Sequence, residues 1–189
     1  MRKRLFLSFL LLLILLSFSA CVRQAKALPL ILREDESLPF EIALPEGWSL
    51  KEDPEKGAPH YFIQTAEYNG KAEDFRVHLY FSRNESESLE GNMAESSTRL
   101  EAWMAELISD DYEIYNKNDF RVNKNPALAL DFAKPLDESY LVGRVVIVTH
   151  PTHTIGFVAM ASEAEWNVNV RTFDKMVSGF KIKPELGEE

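Results

Sequence analysis

Apolar positions along this chain follow two different rhythms, after an opening run that follows neither. From Leu5 to Phe18 only Ser8 and Ser17 interrupt the apolar residues. Phe40-Glu41-Ile42-Ala43-Leu44 then alternates as a half-buried strand does. Pro45-Glu46-Gly47 reads as a turn, because proline presets φ and glycine supplies the unusual conformation. Trp48-Ser49-Leu50 restarts a strand, and a loop over 54–59 follows. A strand is predicted over 61–68. Asn69-Gly70 is the strongest hairpin signal in the chain, and its partner strand is 75–82. There Phe75, Val77, Leu79 and Phe81 share one face, and Arg76, His78 and Tyr80 share the other.

The rhythm next changes to helical spacing. Met93, Leu100, Met104, Leu107 and Ile108 mark one stripe, with Trp103 beside it and Asp110-Asp111 at its exit. Strands return at 112–115, 120–122, 127–133, 140–149 and 154–161. The loops between them, 116–119, 123–126, 135–138 and 150–153, are too short for parallel crossovers, so the block reads as an antiparallel meander. A final helix over 163–180 carries the stripe Trp166, Val170, Phe173, Val177 and Phe180. Ser162 suits its N-cap, Glu163 and Glu165 its first turn, and Gly179 its stop. These elements make an α+β domain, an antiparallel β-sheet of about six to eight strands covered by helices on both faces. The run 140–148 is apolar on both faces apart from Arg144, which places it centrally, with the helices on opposite sides.

The N-terminal run has a different meaning. Met1-Arg2-Lys3-Arg4, the apolar core and Ser19-Ala20-Cys21 have the layout of a secretory signal peptide. Its core falls short of the ~20 apolar residues of a membrane span. Ser19-Ala20-Cys21 resembles the lipobox of bacterial lipoproteins, with Phe18 where an aliphatic residue is usual. That resemblance implies cleavage before Cys21, a diacylglycerol on its thiol and acylation of its amine. Two other outcomes stay open: cleavage after Ala25-Lys26-Ala27, and a retained helical anchor.

The expected organisation is therefore a signal peptide over 1–20, a tether over 21–37, one domain over 38–183 and a disordered acidic tail over 184–189. Fully extended, the ~16 tether residues reach about 50 Å at ~3.3 Å each. Its apolar patch, Leu28 to Leu32, could instead dock on the domain as an edge strand and shorten that reach.

Charge narrows the partners. The formal net charge is −9, and removing residues 1–20 with Arg2, Lys3 and Arg4 takes it to −12. So acidic a domain is repelled by nucleic-acid phosphates and by anionic lipid, and is expected to stand off the membrane. Cys21 is the only cysteine, so once acylated it leaves no thiol for a disulfide.

Phe40-x-Ile42-x-x-Pro45-x-Gly47-Trp48 resembles the opening of PsbP-like and DcrB-like domains. Asn125-Pro126-Ala127-Leu128-x-Leu130, the strand 143–149 and Phe173-x-x-Met176-Val177-x-x-Phe180 resemble their meander and closing helix. The likeness covers about 38–183. It implies an antiparallel sheet between helices and binding or accessory work rather than catalysis. It supplies no active-site residues.

Candidate chemistry is sparse. His150-Pro151-Thr152-His153 sets two imidazoles across a tight turn. A zinc site needs three or four ligands, and His60 and His78 lie far along the chain, so a solvated hairpin tip is expected. Asp110-Asp111 with Glu113 reads as a helix exit rather than a carboxylate pair. No G-x-S-x-G, H-E-x-x-H or glycine-rich phosphate loop is present. Trp166 is expected in the core; Trp48 and Trp103 suit either core or partner contact. The sequence thus predicts a membrane-tethered, non-catalytic accessory domain with no cofactor, anchored through Cys21 and binding an envelope protein. The alternative is a lipoprotein binding a small ligand or metal beside the histidine turn.

Overall fold

In chain order the described elements are β1 (Leu30–Arg33), β2 (Phe40–Pro45), β3 (Ser49–Glu52), β4 (His60–Gln64), β5 (Arg76–Arg83), α1 (Leu89–Ile108), β6 (Glu113–Val122), β7 (Asn125–Leu136), β8 (Ser139–Thr149), β9 (His153–Ser162), α2 (Glu163–Gly179) and β10 (Lys181–Ile182). The computed structural model describes residues 25–33, 35–53, 60–71, 73–108, 111–136 and 139–183. The expectations for Cys21, the signal peptide, the 54–59 loop, Asp110 and the 184–189 tail lie outside these residues.

Seven strands form one antiparallel sheet in the order β3-β4-β5-β9-β8-β7-β6, and β1-β2-β10 form a second, small one. Alternation sends the two faces of the large sheet into two cores. Val77, Leu79, Phe81, Val146, Val148, Ile155, Phe157 and Ala159 face α2 and the small sheet, meeting Trp166, Phe173, Val177, Phe40, Ile42 and Leu44. Tyr80, Val145, Ile147, Val158 and Met160 face α1, meeting Leu100, Trp103, Met104 and Ile108. One helix therefore covers each face, as the two apolar stripes require.

β9, rather than β8, takes the middle of the sheet. It carries no charged residue and is buried from His153 to Ala161, whereas β8 must place Arg144. The two short strands expected at 112–115 and 120–122 are one strand, β6, with a register irregularity between Ile114 and Asn116. The polar residues Asn116 to Asp119 do not break it, because an edge strand sends them to water. The 61–68 strand stops at Gln64, and residues 65–75 connect it to β5. Gly70 does turn the chain (φ +83), but inside this longer loop and not as a two-residue hairpin. The tight turn lies at Asn123 and Lys124, both at positive φ (47° and 73°), the conformation of a type I′ hairpin. The side-chain amide of Asn123 donates to the carbonyl of Phe180 and ties this turn to the end of α2.

Ser162 caps α2 by accepting from the Glu165 N–H (3.4 Å). The helix ends at an extended Phe180, whose N–H bonds Val177 O, so Gly179 is not used for a left-handed stop. Ser88, not foreseen as a cap, accepts from Gly91 N–H (3.0 Å) at the start of α1. Of the two arrangements open to the 28–32 patch, the docked strand is the one observed. β1 pairs with β2, with Leu30 opposite Pro45 and Leu32 opposite Ala43.

Candidate functional site

Three polar clusters stand on the sheet, and each is built by pairing rather than by local sequence. The first lies on the α1 face. β4 and β5 pair with His60 opposite Tyr80 and Phe62 opposite His78. His60 and His78 are therefore diagonal neighbours on one face, and both are buried. His60 Nε2 lies 3.2 Å from His78 Nδ1, and His60 Nδ1 lies 3.3 Å from Asp53 Oδ2. A neutral His60 that presents its Nδ1 proton to Asp53 must accept at Nε2 from His78. Rings extend the stack: His60 lies on Tyr80 at 4.4 Å, and Tyr80 on Trp103 at 4.7 Å. The Tyr80 hydroxyl is buried without a hydrogen-bond partner among the described residues. Burial, reinforced by the Glu106 and Asp53 carboxylates, pushes its phenol above the usual range.

A one-residue offset creates this cluster. A two-residue turn at Asn69-Gly70 would set His60 opposite Leu79 and turn His60 and His78 to opposite faces. The long 65–75 loop sets the other register, which the Asn69-Gly70 signal does not encode. The alternation of His78 with Tyr80 was the part of the signal that could be found.

The second cluster is on the α2 face. Arg144 of β8 donates from Nε to Asp131 Oδ1 (2.6 Å) and from Nη2 to Asp131 Oδ2 (3.2 Å), a bidentate pair. Its Nη1 reaches Asp174 of α2 at 2.5 Å. Asn116 of β6 donates to Asp131 Oδ2 at 2.7 Å. Burial works against the Arg144 charge, but the hydrogen bonds to Asp131 and Asp174 outweigh it and hold the guanidinium ionised. The cluster forms the polar wall of a cavity of about 310 Å³ whose apolar wall is Phe120, Val146 and Val177. Four elements supply one hydrogen-bonded network around Arg144 and Asp131.

The third is the histidine turn. His153 belongs to β9, is only 9% exposed and stacks on Phe81 at 4.5 Å. This corrects the expected solvated tip: the β8–β9 hairpin twists its second histidine under the chain. Thr152 Oγ1 lies 3.0 Å from His150 Nδ1 and 2.8 Å from His153 Nδ1, so one hydroxyl links both rings. Their centroids stand 6.4 Å apart. His150 also lines a cavity of about 370 Å³ with Val122, Val148, Ile155 and Phe180. Among the described residues no group of three or more His, Cys, Asp or Glu is placed to hold a metal ion. Asp111 and Glu113 are exposed beyond the end of α1. Trp48, Trp103 and Trp166 are all buried, so all three are core residues.

The arrangement chemically resembles a reinforced scaffold. Its imidazoles are stacked and hydrogen-bonded, its arginine is doubly paired, and its hydroxyls form a chain from Thr149 through Ser96 and Thr154 to Asn84. Exposed apolar side chains lie elsewhere, on the sheet edges at Ile31, Leu32, Ile114 and Tyr115 and on the helices at Leu89, Met93 and Val168.

Known structures share this fold. The cyanobacterial PsbP protein CyanoP of Synechocystis sp. PCC 6803 superposes with a TM-score of 0.61 at 15% identity, over 88% of this chain and 99% of that one. LpqN, involved in cell envelope biogenesis of Mycobacterium tuberculosis, gives 0.56 at 12% identity, over 82% and 90%. A protein of Bacteroides thetaiotaomicron gives 0.53 at 6% identity, over 78% of this chain and 46% of its own. No protein-family model matches the sequence, and no curated protein resembles it in sequence. The architecture is thus that of PsbP-like domains, an α+β fold with two antiparallel sheets and two helices among the described residues. Among the described residues no helix is long and apolar enough to cross a membrane.

Proposed function

We propose that this chain is a non-catalytic accessory domain of the bacterial envelope, exported, anchored by acyl chains on Cys21, and engaged with another envelope protein. The observation that carries the protein-binding reading is β6. It runs for ten residues along the outer edge of the large sheet, with no strand beyond it among the described residues. It exposes Ile114 (47%) and Tyr115 (60%) next to backbone groups open to an incoming strand. The envelope role of LpqN, which shares the fold, and the lipobox-like start support the location. In contrast to the edge, the side chains within each polar cluster are bonded among themselves, which suits support rather than turnover.

The test is a photo-crosslinking residue at Tyr115 in intact cells, with one at Glu101 on α1 as control. A discrete crosslinked protein from Tyr115 alone is expected. Equal or no capture at both positions would remove β6 as the docking edge. A second reading, a small-ligand protein, draws on the cavity beside His150. Calorimetric titration with zinc, and with apolar dyes, checks it directly.

A further inference from the structure

The leash between Cys21 and the domain is short. Ala25 and Ala27 are already half-buried, and the Leu28 N–H donates to Thr172 Oγ1 of α2 at 3.0 Å. Four residue steps separate Cys21 from Ala25, and at ~3.5 Å each they reach about 14 Å. If Cys21 carries acyl chains, this corner of the domain stands within that distance of the lipid headgroups. The corner is apolar. Leu28 is 43% exposed, Ile31 52% and Leu32 49%, in one short run that leads into β1. Single exposed apolar residues are ordinary, but three along one open sheet edge, with Ile31 and Leu32 on opposite faces of the pleat, mark a contact surface that is used edge-on. Lys26 and Arg33 bracket the run and both are exposed, although Arg33 Nη2 also donates to Trp48 O at 2.8 Å. No strand pairs with the outer side of β1 among the described residues.

We infer that the Leu28-Ile31-Leu32 edge is a membrane-docking surface that lays the β1 side of the domain on the leaflet holding Cys21. This rests on acylation of Cys21. The occupant is lipid and not a protein because the leash delivers this edge to the leaflet, and cations at either end of an apolar run suit an interface of headgroup and acyl chain. The inference replaces the stand-off expected from net charge. Repulsion by the acidic domain is long-ranged and screened within about 8 Å at physiological salt, whereas β1 contact is local and apolar. The opposite face, covered by α1, then points away from the membrane.

The experiment uses the full chain purified from membranes. Intact mass first establishes the acyl groups. Ile31→Cys and, separately, Met93→Cys are then labelled with an environment-sensitive fluorophore and reconstituted in phosphatidylcholine vesicles carrying brominated acyl chains. Met93 is a matched control, apolar and 49% exposed on α1. The label at 31 should be quenched about twofold more than the label at 93, since docked apolar faces sink ~5–10 Å into the headgroup boundary. A Leu32→Cys label should repeat the result at 31. Acylated protein with equal quenching at 31 and 93 keeps the anchor and overturns the docking. Protein without acyl mass removes the anchor and the inference with it.

Discussion

The indole of Trp103 fills the space that a β-carbon on Gly156 would occupy. That carbon would sit 2.2 Å from Trp103 Cζ3, far inside any real contact. Gly156 lies in β9 at the middle of the sheet, so the Trp103 ring lies against the strand where it has no side chain. Gly156→Ala should destabilise the domain by ~1–3 kcal/mol through overpacking. Trp103→Leu makes room, so the double variant should cost less than the two single costs added. Urea denaturation of the four proteins measures this. Strict additivity would show that the two positions do not share the space.

Tyr80 makes an unusual forecast, because a change that removes a polar group should not weaken the fold. Its hydroxyl is buried and has no hydrogen-bond partner among the described residues. Tyr80→Phe keeps the ring stack and should leave stability at neutral pH unchanged or raised by up to ~1 kcal/mol. The phenol's pKa is raised in the folded state. A raised pKa gives stability that is complete below the unfolded value near 10 and is lost as pH rises through the folded value. Wild type should therefore weaken more than Tyr80→Phe above about pH 10. Parallel alkaline unfolding curves for the two would contradict the burial.

The two carboxylates on Arg144 should differ. The Asp131 side chain is 9% exposed and takes three hydrogen bonds, whereas Asp174 is 47% exposed and takes one from Arg144. Asp131→Ala strands a largely buried guanidinium and should cost ~2–4 kcal/mol. Asp174→Ala removes a mostly solvated partner and should cost ~0–1 kcal/mol. Thermal denaturation ranks them, and equal losses would mean that the network does not depend on burial.

His153 and His150 likewise part company. His153→Gln gives up a buried stack on Phe81 and should cost ~1–2 kcal/mol. His150→Gln should stay within the ~0.5 kcal/mol usual for a surface change. Chemical denaturation decides, and a reversed order would put His150, not His153, under the hairpin.

What the sequence determined by itself was local. Period-two alternation in 75–82 and the +3/+4 stripe from Trp166 to Phe180 are properties of neighbouring residues, and they sufficed for the class of fold, for a helix on each face and for Phe173 in the core, where it is fully buried. Chain distance hid the rest. His60 meets His78 only because the 65–75 loop sets a register one residue away from the one that Asn69-Gly70 suggests, and one residue inverts a strand's faces. Arg144 finds Asp131 and Asp174 only when β7, β8 and α2 are stacked. Trp103 could be placed in the core only once Gly156 opened a slot beneath it, and the apolar patch of β1 became an edge only once β2 paired with it. Burial and hydrogen bonding are settled by which distant segments pack together, and no periodicity along the chain encodes that choice.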